Sequence, residues 1–289
     1  MKTQTPSAAF VESCKQILQG KNHLILIKYG GSAMEDPARV DQVLDDIALI
    51  RKMGWKLVLV HGGGKAISKA MQESGLKPEF IDGLRVTDEA SMKVVEQTLD
   101  HEVNPEIVRK LKERGINALS VSGKSVLKAT KLLYYQEKTG KELDLGQIGD
   151  VAQVEVGQIS LLLDEGKLPV ISPVGLGEKG EAFNINADIA AAKIGAALKV
   201  DSLIFLSDVR GILRDHKNPE TLFTELDPQK ITTLKQEGVI DGGMIPKVDS
   251  AVESLKNGAQ QILFLDGREE HILIETLWMG ISHGTKIQL

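Results

Sequence analysis

Five short segments combine glycine, lysine, arginine, amide and carboxylate side chains in a way suited to handling an anion: KYGGS (28–32), HGGGK (61–65), GLRVT (83–87), NINAD (184–188) and GGMIPK (242–247). Consecutive glycines let backbone N–H groups approach a phosphate that a Cβ would hold away. The P-loop spacing is not met at 61–65, because Ala66 follows Lys65 and no glycine lies five positions before Gly64. Each segment also has a plainer reading. Paired glycines make turns, Lys28 at a strand end can snorkel to solvent, and Asp188 sits where a helix N-cap is expected. Lys247 is odd, since a cation at a helix start opposes the helix dipole unless an anion is near. His61, between an apolar strand and glycines, reads as a hydrogen-bonded structural residue rather than an acid–base group. No H-E-x-x-H metal spacing and no G-x-S-x-G elbow occurs, so no protein-held metal is expected, and SGK (122–124) reads equally as an exposed turn or an anion contact.

These segments need rigid elements to hold them, and the apolar pattern supplies them. LILIK (24–28) and KLVLV (56–60) read as buried strands. Between them Asp36 and Pro37 start a helix whose inner stripe is Val40, Val43, Leu44, Ile47 and Ile50. A helix follows the glycines of 62–64, then helices over 88–101 and 105–114 and a strand over 117–122. Short alternating runs between 125 and 156 predict hairpins at one side, before a helix at 157–165 and a strand at 168–172. The alternation resumes with a helix from Asp188, a strand at 202–207, helices at 228–237 and 246–257, a strand at 260–265 and a helix at 270–278. The expected fold is α/β: a three-layer α/β/α sandwich with a mainly parallel central sheet and inserted hairpins. In such sheets ligands bind at the carboxyl ends of strands, where the glycine segments fall. AAFVESCKQIL (8–18) puts Phe10, Val11, Cys14, Ile17 and Leu18 on one helical face, making 1–22 an expected oligomerisation arm. A boundary near Pro173 divides lobes 23–173 and 174–289.

Composition narrows the function classes. With 289 residues, 42% hydrophobic and 26% charged, the chain can bury a substantial core, and a net charge of −5 gives no global basic face for nucleic acid. Any anion site is therefore local. A single cysteine, Cys14, permits neither an internal disulfide nor a cysteine metal site, as expected in a reducing compartment. No apolar run reaches the roughly 18–20 residues of a membrane span, and cytoplasmic residence is the expectation.

Taken together the segments are more specific than any one of them. IKYGGSAM (27–34), LVLVHGGG (57–64), GLRVTDE (83–89), VNPEIV (103–108), SGK (122–124), PVISPVG (169–175), FNINAD (183–188), LSDVRGIL (206–213) and GGMIPKV (242–248) resemble the amino-acid kinase family over nearly the whole chain. The resemblance implies transfer of the γ-phosphoryl group of ATP to the side-chain carboxylate of N-acetyl-L-glutamate, giving an acyl phosphate in arginine biosynthesis. It implies that Lys28 and Lys247 approach the transferring group from opposite lobes while Asp188 orients them. Gly30, Gly31 and Gly63 would offer N–H groups to the phosphoryl. Gly63, Gly64, Arg85 and Asn184 would hold the acceptor, with the Arg85 guanidinium on its α-carboxylate. Ser207, Asp208, Gly243 and Lys247 would face ATP, which brings Mg2+ with it. A homodimer or homohexamer is implied, with a PII-type protein as regulatory partner. Two departures stand out. Lys65 replaces a proline common in relatives, and the acidic residues of arginine-inhibited members align with Thr276 and Ile281, Glu275 lying one residue off. The N-terminal helix points to the hexamer and these positions leave arginine inhibition open. A kinase of a related acyl amino acid, such as a lysine-pathway analogue, and a non-catalytic sensor of the same fold are the alternatives; intact Lys28, Asp188 and Lys247 speak against the sensor. A dinucleotide fold is not expected, since no G-x-G-x-x-G is read after any strand.

Overall fold

The computed structural model describes residues 23–34, 36–136, 140–279 and 283–289. The expected N-terminal helix within 1–22 and position Ile281 lie outside them.

Eight strands form one sheet in the order β14-β16-β15-β13-β1-β2-β10-β5. They are β1 (Leu24–Tyr29), β2 (Lys56–His61), β5 (Ala118–Val121), β10 (Leu168–Ile171), β13 (Ser202–Ser207), β14 (Glu225–Leu226), β15 (Ile262–Asp266) and β16 (Thr285–Ile287). Every neighbouring pair is parallel except β15 with β16. β1 lies between β2 and β13 in the register Tyr29↔His61 and Tyr29↔Leu206. The residues after these three strands, Gly30-Gly31, Gly62-Gly63-Gly64 and Asp208, therefore leave the sheet at one edge.

Side chains alternate across a strand, so β1 serves both faces. Ile25, Ile27 and Tyr29 pack with Leu44 and Ile47 of α1 (Pro37–Lys52) and Leu111 of α4 (Asn104–Glu113). Leu26 lies in the opposite cluster with Ala190 and Ile194 of α6 (Ala187–Leu198) and Val248 of α8 (Met244–Lys256). Each fully buried Leu or Ile contributes about 1.5–3 kcal/mol relative to exposure, and the two clusters make the expected three layers. Lys28 shares the α6 face with Leu26.

The region expected to hold hairpins contains β6 (Leu127–Lys131), β7 (Tyr134–Gln136), β8 (Lys141–Leu143) and β9 (Ile148–Val154). β7 and β8 form a hairpin, while β6 and β9 close a four-stranded ring with two strands the sequence pattern did not reveal, β11 (Val174–Leu176) and β12 (Ala182–Ile185). Residues 175–180 read GLGEKG, which has the dinucleotide spacing after all. It serves instead as the connection between the antiparallel strands β11 and β12, with Gly180 at φ 84. Helices α3 (Glu89–Thr98) and α4 are one continuous run joined by a π turn at Leu99–Val103, where two separate helices were expected. Pro105 cannot donate a backbone hydrogen bond at this point, which favours the widened turn. The expected helix over 270–278 is a short α turn at Ile272–Ile274 continued by a π turn. There Glu275 pairs with His283 at 2.8 Å.

Candidate active site

Lys28, at the carboxyl end of β1, is buried and sits 2.8 Å from Asp188 Oδ1. Asp188 Oδ2 faces Lys247 Nζ at 3.9 Å from the other side. Burial opposes the charge on Asp188, but the two lysines outweigh it and hold the carboxyl below its ordinary range. The N-cap reading of Asp188 does not hold. Asn186 caps α6, its Oδ1 accepting from the Asp188 and Ile189 N–H groups, which leaves the Asp188 carboxylate to the lysines. Lys247 lies in the first turn of α8, whose N-cap residue Gly243 supplies no side-chain bond. The cation that opposes its own helix dipole thus has a carboxylate to face.

The glycines differ in why they are needed. A Cβ on Gly30 would stand 2.8 Å from Lys28 Nζ, and one on Gly63 would stand 2.5 Å from Leu99 Cδ2. Gly31 takes φ +71 beside Asp208. Gly64 and Gly243 have open space around the Cβ position, so no crowding explains them. Gly64 opens α2 (Gly64–Glu73) with Gly63 as N-cap and no side-chain cap, which aims the positive end of that helix into the site.

Arg85 is carried by a two-residue hairpin between β3 (Phe80–Ile81) and β4 (Leu84–Arg85). Asp82 and Gly83 both have positive φ, 46 and 85, as a type I′ turn requires. The register pairs Arg85 with Phe80, and the guanidinium lies over that ring at 4.5 Å. Its Nη2 donates to Gly64 O at 2.7 Å and to Ser68 Oγ at 2.8 Å, and burial lowers its pKa. The guanidinium is thereby turned onto the start of α2. Asn184 donates from Nδ2 to Thr87 Oγ1 at 3.1 Å, and that hydroxyl donates to Arg85 O.

His61 is fully buried, and burial drives its pKa down to about 4. Its Nδ1 lies 2.9 Å from Gly62 O and its Nε2 3.1 Å from Asn104 Nδ2. A neutral imidazole bonded at both nitrogens is a strut, in line with the structural reading of the sequence.

A cavity of about 850 Å³ gathers Lys28, Gly31, Gly63, Gly64, Arg85, Asn184, Asp188 and Asp208 in its walls. Gly30, Ser207, Gly243 and Lys247 are not among its lining residues, and Lys247 meets the cavity wall at Asp188. Ser207 is buried, its Oγ accepting from Val209 N at 3.4 Å. Sequence reasoning missed Asn186, Ser68, Thr87, Asn104 and Leu99. Only Asn186 carried a readable signal, an Asn placed just ahead of a helix.

Comparison with known proteins agrees with this geometry. The sequence profile described as Amino acid kinase family matches residues 23–266. An acetylglutamate kinase of Heliobacterium modesticaldum is 41% identical, the match covering 99% of each chain. One of Methanocaldococcus jannaschii is 41% identical over 91% of this chain and 90% of its own. Among solved structures, N-acetylglutamate synthase of Neisseria gonorrhoeae superposes with a TM-score of 0.83 at 24% identity, over 98% of this chain and 64% of the synthase. Carbamate kinase of Giardia lamblia superposes with a TM-score of 0.68 at 20% identity, covering 92% of this chain and 98% of the other. The glycine turns at one sheet edge, the lysines shared by one carboxylate and the full-length matches lead to one conclusion: this chain belongs to the amino acid kinase family.

Proposed function

We infer that the protein transfers the γ-phosphoryl group of ATP to the side-chain carboxylate of N-acetyl-L-glutamate, giving N-acetylglutamyl 5-phosphate and ADP in arginine biosynthesis. The observation that carries this reading is the Lys28–Asp188–Lys247 arrangement at the mouth of the glycine turns, in a chain whose full-length relatives bear that activity in their names. A carboxylate oxygen forms the new P–O bond, and the bond to ADP breaks. The acceptor is already ionised near neutrality, so no proton moves and no base is needed, which suits a site whose one buried histidine is a neutral strut.

The difficulty is electrostatic. Two unit charges about 4 Å apart repel by roughly 4 kcal/mol at an effective dielectric near 20, and the triphosphate multiplies this. Lys28 and Lys247 offset the charge gathering on the phosphoryl oxygens, and Asp188 keeps the two ammonium groups from repelling each other apart. Gly30, Gly31 and Gly63 provide N–H donors to the phosphoryl. Gly63, Gly64 and Arg85 hold the acceptor on lobe 23–173, joined by Asn184 from just beyond the boundary; Ser207, Asp208, Gly243 and Lys247 meet ATP, on lobe 174–289. Magnesium enters as part of the nucleotide substrate, held by phosphate oxygens and water as that ion prefers. Among the described residues no helix is long and apolar enough to cross a membrane. Cytoplasmic residence, a homodimer or homohexamer and regulation by a PII-type protein complete the proposal.

The test is an ATP-dependent assay that traps acyl phosphate as hydroxamate, run with acetylglutamate, glutamate, aspartate and N-acylated lysine-pathway analogues. Turnover is expected with acetylglutamate well above the others. A preference for a lysine-pathway acceptor would reassign the substrate, and no turnover with any acceptor would favour a sensor.

A further inference from the structure

His61 has no chemical duty in the reaction, yet it is buried without exposure and bonded at both ring nitrogens. The bonds around its partner decide which nitrogen carries the proton. Asn104 Oδ1 accepts from Ser120 Oγ at 2.5 Å, and Asn104 Nδ2 donates to Val170 O at 2.8 Å. That fixes the amide orientation, so Nδ2 meets His61 Nε2 as a donor and Nε2 accepts. The ring proton therefore sits on Nδ1 and is donated to Gly62 O. In a trans peptide the C=O and the following N–H point in opposite directions. Holding Gly62 O on the His61 side turns Gly63 N–H away from it, toward the cavity that Gly63 lines.

The same helical run holds Gly63 from a second direction. Asn104 N–H bonds to Leu99 O, closing the π turn, and an i, i+5 bond stacks residues that an ordinary α-helix would turn well apart. Leu99 thus crowds the Gly63 position while Asn104 reaches His61. We propose that His61 is a positioning residue: through Asn104 it presents its Nδ1 proton to Gly62 O and so directs Gly63 N–H at the phosphoryl group in transfer. This rests on the functional reading given above, in which Gly63 N–H contacts that group.

Asparagine places an amide N–H where His Nδ1 lies, whereas glutamine reaches the Nε2 position. His61→Asn is expected to keep kcat within about threefold of the native enzyme. His61→Gln is expected to lower kcat about 10–100-fold, less than the 10²–10³-fold of losing an oxyanion donor outright, with both KM values within about threefold. Binding of MgADP, aluminium fluoride and acetylglutamate together should weaken in His61→Gln by the same factor as kcat. Equal losses in the two variants, or losses that track thermal stability or KM, would overturn the proposal. A measurement on the native protein stands apart from whether the variants fold. Imidazole 15N shifts of His61 should show the neutral Nδ1–H form between pH 6 and 9, and an Nε2–H or charged ring would sink the idea. Native protein that turns over no acceptor removes the functional reading and this inference with it, whatever the tautomer.

Discussion

The two lysines on Asp188 are held in opposite ways. Lys28 belongs to the central strand, is 8% exposed in its side chain and touches the carboxylate at 2.8 Å. Lys247 stands in the first turn of a helix that begins after two glycines, is 26% exposed and lies 3.9 Å away. Arg85, His61 and Asn184 resemble Lys28 in already having protein partners. One wall of the site is built into the sheet and its neighbours, while the other is carried by a helix start with open space at Gly243. Preorganisation and adjustability are thus divided between two cations that serve one carboxylate. Fixed donors cost no rearrangement at the moment of transfer, and a looser lysine can follow a phosphoryl group that moves.

Substitutions can break this contrast. Lys28→Met should have the largest effect: kcat down by about 10³-fold or more, and stability down by about 3 kcal/mol, the low end for stripping a buried charge of its partner because Lys247 remains. Urea unfolding and initial rates read both. Lys247→Ala should lower kcat by about 10²–10³-fold with little change in either KM or in the unfolding midpoint. An equal stability loss in the two variants would abolish the distinction between them. Arg85→Lys should raise KM for acetylglutamate about tenfold and leave KM for ATP alone, since a lysine cannot reproduce a guanidinium fork. A selective change for ATP would mean the walls are assigned backwards.

The smallest expected effect lies outside the site. The hydrogen bond to Asp46 raises the His271 pKa, while burial raises that of Asp46 in spite of His271. A raised histidine pKa gives stability that is fully present below about pH 6.5 and lost as pH climbs through the folded value. The melting temperature should therefore fall by about 1–3 °C above that pH, the scale of a pair whose histidine is largely solvated although its carboxylate is buried. His271→Gln should remove the slope.

The layers and the strands β1, β2, β10, β13 and β15 were legible because each is a continuous apolar run, and Asp36 with Pro37 marked a helix start that the structure reproduces. β11 and β12 escaped because strands of three and four residues, interrupted by Gly175 and Asn184, are too short to show a period of two. The π turn hid behind Pro105, which reads as a break but here only widens the helix. In the site, residue types located Lys28, Asp188 and Arg85. The supporting residues could not be found: Ser68 touches Arg85, Thr87 touches Asn184 and Asn104 touches His61, each across a long stretch of sequence. Asp188 itself was drawn toward a capping role that Asn186, two positions earlier, performs.

The placement of β1 also sets an order of events during folding. One of its flanks pairs with β2 close by, but the other waits for β13, as the bond from Leu24 N–H to Asp201 across 177 positions shows. Until that length of chain has been made, a strongly apolar strand at the centre of the sheet keeps a bare edge, the state in which strands pair with the wrong neighbour. Asp188 is synthesised only a little earlier than β13. Lys28 is thus among the first groups placed in a strand and among the last to receive its counter-charge.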